Sequence, residues 1–284
     1  MSGPRLRTLF FGTSDFAVPI LRTVAQHTDL AGVVTQPDRP AGRGHKLVSS
    51  PVKSAALELG LPVHEPERLK PFAEELARGA PFDLFALASY GRILPQALLD
   101  LPALGALNVH PSLLPAYRGA TPIQTALRNG DVETGISVML MDAGMDTGDL
   151  VLQERVEIRP GDDYGSLHDR LALQGAALLR TAIEAAGQGP LARAPQRGQA
   201  SVTKPIRKED LLIDWSWPPS TIVNHVRAYA PAPAARALLE GETVKLLRAH
   251  VAPDGALAID ELIAPNRGRM SEAAYRQSRA AGKP

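Results

Sequence analysis

The chain has 284 residues, 44% hydrophobic and 21% charged, which is enough apolar content for one large or two modest cores and excludes a disordered chain. No apolar run approaches the ~20 residues of a membrane span, and there is no cysteine, which excludes disulfides, thiolate catalysis and cysteine-held metals. The net charge of +1 hides an asymmetry: residues 190–284 carry 14 Lys/Arg against 9 Asp/Glu, leaving 17 against 21 before them, so the last third suits an anionic partner or an ordinary solvated surface.

Met1 to Arg5 lack the apolar core of a signal peptide, which predicts a cytoplasmic protein. Short apolar runs bounded by Gly, Pro or Asp then predict buried strands at Leu6–Phe11, Leu30–Thr35, Phe82–Ala88, Ala106–Val109 and Ile136–Met141. Helical spacing predicts helices at Phe16–Gln26, Val52–Leu59, Glu67–Arg78, Pro122–Asn129 and Leu167–Ala186, with Ser14 or Asp15 capping the first. Such alternation predicts an α/β fold, a doubly wound and mostly parallel sheet with its site beyond the C-terminal strand ends. Residues 1–189 would form this domain, and residues 190–208, rich in Gly, Pro, Gln and Arg without periodicity, a linker. Residues 209–284 read as a smaller β-rich domain. Its strands are expected at Leu211–Trp215, Arg236–Leu239, Thr243–Val251 and Ala256–Ile263, with one helix at Ser220–Tyr229 and none of the regular pattern of a strand beyond Met270.

Chemistry gathers after the apolar runs. In Asn108-Val109-His110-Pro111, residues two apart on a strand share a face, so Asn108 and His110 emerge together, and Pro111 keeps His110 extended. A buried His with an Asn capping the next turn would look the same. Asp142 to Asp149 is a Gly-rich loop with three carboxylates, whose spacing fits neither a calcium loop nor, with the seven histidines, a zinc site, so no metal is expected. The segment Ser112, Leu113, Leu114, Pro115 supplies an apolar wall beside those polar groups, suited to a heteroaromatic ligand. Gly12-Thr13-Ser14-Asp15 lacks the spacing of a dinucleotide fingerprint and of a phosphate loop. Gln36 to Lys46 reads as a long polar loop whose Arg39, Arg43 and Lys46 suit phosphate contact.

Together these segments resemble the methionyl-tRNA formyltransferases, within a wider formyltransferase family that shares an Asn-x-His-Pro-Ser-Leu-Leu-Pro motif. The resemblance runs from about Leu9 to Val251. It implies a Rossmann-like catalytic domain, an OB-like second domain that helps hold tRNA, and 10-formyltetrahydrofolate as co-substrate without a metal. It implies Asn108, His110 and Asp146 as the catalytic set, and Ser112–Pro115 as a folate-contacting segment. Arg92, Ile93 and Leu94, with the backbone around Asp142, would be further walls of the pterin pocket. Asp214-Trp215, Asn224 and Arg227 point to the tRNA-acting branch, with methionyl initiator tRNA as acceptor and a monomeric enzyme. Two departures are expected. An OB barrel needs five strands, and the sequence offers at most four convincing ones; the Val251–Ala256 connection is also short. Two rivals share the site chemistry: formyl transfer to an amino sugar nucleotide or purine precursor, and hydrolysis of the same folate. A third is a non-catalytic RNA-binding protein on a decayed enzyme fold.

Overall fold

Strands at the centre of a parallel sheet are buried on both faces, and β1 (Arg7–Gly12) meets that demand with Leu9, Phe10 and Phe11 all buried. The computed structural model describes residues 5–41 and 46–281. After β1 come α1 (Ala17–His27), β2 (Asp29–Val34), the short pair β3 (Arg39–Ala41) and β4 (Lys46–Val48), α2 (Pro51–Glu58), β5 (Val63–His64) and α3 (Leu69–Leu76). They are followed by β6 (Leu84–Ala88), α4 (Gln96–Leu99), β7 (Ala106–His110), β8 (Arg118–Gly119), α5 (Pro122–Asn129), β9 (Glu133–Leu140), β10 (Leu150–Glu157) and α6 (Tyr164–Ala186). The chain ends with β11 (Val202–Thr203), α7 (Pro219–Tyr229), β12 (Ala235–Leu239), β13 (Glu242–Val251), β14 (Leu257–Ala264), β15 (Gly268–Met270) and α8 (Glu272–Ala281).

Seven strands form one sheet in the order β10-β9-β7-β6-β1-β2-β5, parallel from β7 to β5, with β9 antiparallel to β7. From β1 the chain first builds outward through β2 and β5, then crosses to β6 and β7 on the other side. That reversal opens a crevice at the C-terminal ends of the strands. There the turns after β1 and β6 are tied together: Thr13 N donates to Ser89 O at 3.1 Å and Thr13 Oγ1 to Tyr90 O at 2.9 Å. Ser14 does not cap α1; Phe16 takes the cap position without a side-chain bond, and the Ser14 hydroxyl donates to Ser89 Oγ. For α2 the expected cap exists, with Ser50 Oγ accepting from Lys53 N at 3.0 Å and Pro51 opening the helix.

Contacts divide the chain into two compact units. One holds Met1–Gly119, Gly135–Val156 and Asp169–Val202; the other holds Ala120–Thr134, Glu157–His168 and Thr203–Pro284. Part of the stretch expected as a linker is therefore built into the first unit, where Ala194 and Leu150 exchange backbone hydrogen bonds at 2.8 and 2.9 Å.

In the second unit β12-β13-β14-β15 form an antiparallel sheet of four strands. The expected strand at Leu211–Trp215 is instead a 3-10 turn at Glu209–Leu211, followed by one bridge from Leu212 to Arg236. Beyond β15 the chain forms α8, whose Tyr275 is buried and donates its hydroxyl hydrogen to Leu239 O at 2.9 Å. Within the same unit α5 packs on α7. Its buried face is Pro122, Ile123, Ala126 and Leu127, and Gly130 ends it in the left-handed conformation at φ 74°.

Candidate active site

β7 carries alternate residues to opposite faces, which sets Asn108 and His110 on the same side of the sheet. Its neighbour β9 runs the other way, with Leu107 opposite Leu140 and His110 opposite Ser137. The loop that follows β9 therefore starts three residues back from His110 and must return ~10 Å along the strand to reach it. It does return: Asp146 Oδ2 lies 3.7 Å from His110 Nδ1, both side chains largely buried. Gly148 makes the return possible, since a Cβ there would stand 1.9 Å from Leu140 O. Asp146 itself is left-handed, at φ 53°. A non-glycine residue in that region costs about 1–3 kcal/mol and persists only where its surroundings hold it.

His110 is 5% exposed and fixed from both sides. Its Nε2 is 2.9 Å from Tyr117 O. A carbonyl only accepts, so Nε2 carries the hydrogen and Nδ1 faces the carboxylate. Tyr117 is left-handed too, at φ 59°, and two residues later Gly119 N donates to Asp146 Oδ2 at 2.7 Å. One short stretch thus holds the imidazole through Tyr117 and the carboxylate through Gly119. By contrast, the half-buried Asn108 amide makes no side-chain hydrogen bond among the described residues, which leaves its two N–H donors for a ligand.

The turn after His110 is rigid. Ser112 is fully buried and its hydroxyl donates to Ala116 O; Ser137 Oγ donates to Ser112 O at 2.7 Å and accepts from Leu114 N at 3.1 Å. Gln153 Nε2 adds bonds to Leu114 O and Ser137 Oγ at 3.0 and 2.9 Å. Ser112, Leu114 and Pro115, expected as ligand contacts, are buried, and only Leu113 of the four is partly exposed.

Other expected wall residues divide. Arg92 turns away and donates to Pro66 O at 2.8 Å and Glu67 O at 3.0 Å, Ile93 is 68% exposed, and Leu94 belongs to the core with Phe11, Phe85 and Tyr90. One oxygen of the Asp142 carboxylate is engaged within its own turn, Oδ1 accepting from Gly144 N at 3.0 Å and Thr147 Oγ1 at 2.6 Å. Sequence reading missed Gln196, whose Nε2 donates to Asp146 O and Gly148 O, both at 2.9 Å, because it lies in a stretch without periodicity. No group of three or more His, Asp or Glu that could hold a metal ion occurs among the described residues.

The stretch expected as an irregular basic loop contains the antiparallel pair β3–β4, with Arg39 opposite Val48. Its root is held by Lys53, whose ammonium meets Asp38 and Glu65, each at 2.8 Å. The hydrogen bond to Lys53 holds the Asp38 carboxyl below its ordinary value, and Asp38 holds the ammonium above its own. Arg39 donates to Gln36 Oε1; Arg43 and the side chain of Lys46 lie outside the described residues.

Within residues 203–284 several arginines are engaged by carboxylates: Arg267 and Arg279 pair with Glu242, Arg269 with Glu261, and Arg276 with Glu272. Arg227 is structural, bonding Asp162 O at 2.6 Å and Arg159 O at 3.0 Å. Trp215, by contrast, is 43% exposed.

Residues 6–183 match the family described as formyl transferase, and residues 205–275 match its C-terminal domain. A methionyl-tRNA formyltransferase of Pelotomaculum thermopropionicum is 45% identical over 257 residues, covering 89% of this chain and 82% of the relative. One from Geobacter metallireducens is 42% identical over 290 residues, covering 94% and 93%. The solved methionyl-tRNA formyltransferase from Clostridium thermocellum shares the fold at a TM-score of 0.61 and 15% identity, covering 92% of this chain and 100% of its own. HypX from Aquifex aeolicus, solved in complex with tetrahydrofolic acid, has a TM-score of 0.67 at 16% identity, covering 98% of this chain and 48% of its own.

Proposed function

The chain belongs to the formyl transferase family, and from that membership we propose how its site carries a formyl group from 10-formyltetrahydrofolate to the α-amine of methionine esterified to initiator tRNA. It is a formyltransferase enzyme and acts on methionyl-tRNA. The observation that carries the site reading is the meeting of Asp146 and His110, 36 residues apart in sequence and 3.7 Å apart in space, beside the free amide of Asn108.

An α-amine has an ordinary pKa near ~8, so a useful fraction is neutral at neutral pH and needs little activation. Its lone pair attacks the formyl carbon and the C–N bond forms. The carbonyl oxygen becomes an oxyanion, and the amine nitrogen becomes cationic. Asn108 donates its amide N–H to that oxygen, a contact that strengthens as charge develops. Asp146 Oδ2 is occupied by Gly119 N and faces His110, which leaves Oδ1 to accept the amine proton. The proton ends on the folate nitrogen as its bond to carbon breaks. Gly119 N, donating to Oδ2, keeps that oxygen in place, with the His110 ring 3.7 Å away. Formyl amide and tetrahydrofolate leave, and neither a metal nor a covalent enzyme intermediate enters the balance.

The pterin would lie against the backbone of Arg92–Leu94 and the loop from Asp142, walled by Leu113. Arg39, with Arg43 and Lys46 near it in sequence, would meet tRNA phosphates, and exposed Trp215 offers a face for a base or ribose. All three reacting side chains come from one chain, which supports a monomer, and the tRNA substrate supports work in the cytoplasm. The test is transfer of labelled formyl from 10-formyltetrahydrofolate. Charged initiator tRNA should be formylated in preference to amino sugar nucleotides. Equal transfer to a sugar nucleotide, or formate release without tRNA, would overturn the acceptor.

A further inference from the structure

Asp146 is strained and 36 residues from the histidine it meets, so something must hold the returning loop. Gly119 N reaches only its carboxylate. The loop's backbone is held from another quarter. Gln196 Nε2 donates both its hydrogens, to Asp146 O and to Gly148 O at 2.9 Å, and so brackets the strained peptide. An amide can rotate to present oxygen instead of nitrogen, and Arg118 forbids that: its Nε and NH2 donate to Gln196 Oε1 at 3.2 and 2.7 Å. Arg118 stands between Tyr117, which holds His110, and Gly119, which holds Asp146. The imidazole, the carboxylate and the clamp on its loop are thus referred to three consecutive residues.

The segment bearing Gln196 is itself tied down on either side. Ala194 pairs with Leu150, while Ser201 Oγ accepts from Tyr117 N at 2.8 Å and Ser201 O from Arg118 N at 2.9 Å.

We propose that Gln196 is a positioning residue of the reaction: oriented by Arg118, it holds Asp146 at its distance from His110. The inference rests on the catalytic reading of Asp146. Displacing a reacting group by about 1 Å costs on the order of 10²-fold in rate. Gln196→Met removes both donors and the acceptor, so kcat should fall roughly 10–100-fold while KM for folate and tRNA stays within about threefold. Gln196→Glu separates positioning from stability. The new carboxylate binds Arg118 more strongly, yet turns an acceptor toward two carbonyl oxygens, so its kcat should fall at least as far while Tm holds.

A merely structural residue would give the opposite pattern, with Gln196→Glu near wild-type kcat and only Gln196→Met lowering Tm. Asp146→Asn is the control. Should Asp146→Asn keep its kcat, the catalytic reading fails. Should it lose activity while both Gln196 variants stay within about twofold of wild type, the positioning role fails and the catalytic reading stands. Single-turnover rates in the Asp146→Asn background should be unmoved by adding Gln196→Met, and a further full loss there would contradict a shared role.

Discussion

Among the described residues the Asn108 side chain is left uncommitted, while His110 and Asp146 are bound by their surroundings. That contrast assigns their roles: the free donor meets charge that exists only in the transition state, and the bound pair keeps its geometry throughout. Asn108→Ala should lower kcat roughly 10²–10³-fold, about 3–4 kcal/mol, with folate affinity little changed. Asn108→Asp is the sharper variant, because it keeps the shape and replaces two donors with acceptors, so it should be at least as impaired. Steady-state kinetics paired with folate titration by fluorescence decides it. A variant with most of its kcat removes the amide from the mechanism.

At the scale of elements, α7 carries a titratable group the chemistry does not use. His225 lies between the rings of Trp217 and Tyr229 at centroid distances of 5.1 and 4.9 Å, with Nε2 buried and unpartnered. Burial holds its imidazole below the ordinary value, against a hydrogen bond to the Leu211 carbonyl, with Arg128 adding to the depression. Between that lowered value and ~6.5 the unfolded chain takes up a proton that the folded one refuses, so stability is full above ~6.5 and falls as pH drops below it. The melting temperature should therefore fall from pH 7.5 to 5.5 through this residue, and His225→Phe should flatten that slope. Equal slopes in both proteins would acquit the histidine.

Elements also explain what the sequence discloses. Asn108 and His110 are legible because strand alternation and a following proline fix their common face whatever the strand's neighbours do. The partnership with Asp146 is not legible from pattern, since an apolar run such as β9 carries no sign of its direction, and only the antiparallel pairing makes the next loop turn back. Gln196 is hidden for a different reason: its environment is long-range hydrogen bonding in a segment with no hydrophobic period. The same weakness concealed α8, where Tyr275 is the one large side chain buried.

At the scale of the molecule, the second unit is not a contiguous tail. It takes residues 120–134 and 157–168 from inside the stretch that builds the sheet, so the chain passes between units repeatedly. Thr121, just before α5, is bonded to Thr203 Oγ1 and Lys204 O, both at 3.0 Å, and Arg227 on α7 is bonded to the carbonyls of Arg159 and Asp162. A fragment of residues 1–189 should therefore fold poorly, with α5 lacking α7 and its apolar face bare. It should bind a hydrophobic dye and melt without a cooperative transition, and a sharp melt like that of the full chain would contradict this. The same arrangement sets a timetable at the ribosome. α5 closes at Asn129 and its partner α7 is finished only at Tyr229, a hundred residues later. At the usual pace of ~5–20 residues per second, Ile123, Ala126 and Leu127 wait uncovered for roughly 5–20 s in every round of synthesis. For that interval the nascent chain offers a short apolar helix to any chaperone at the exit port.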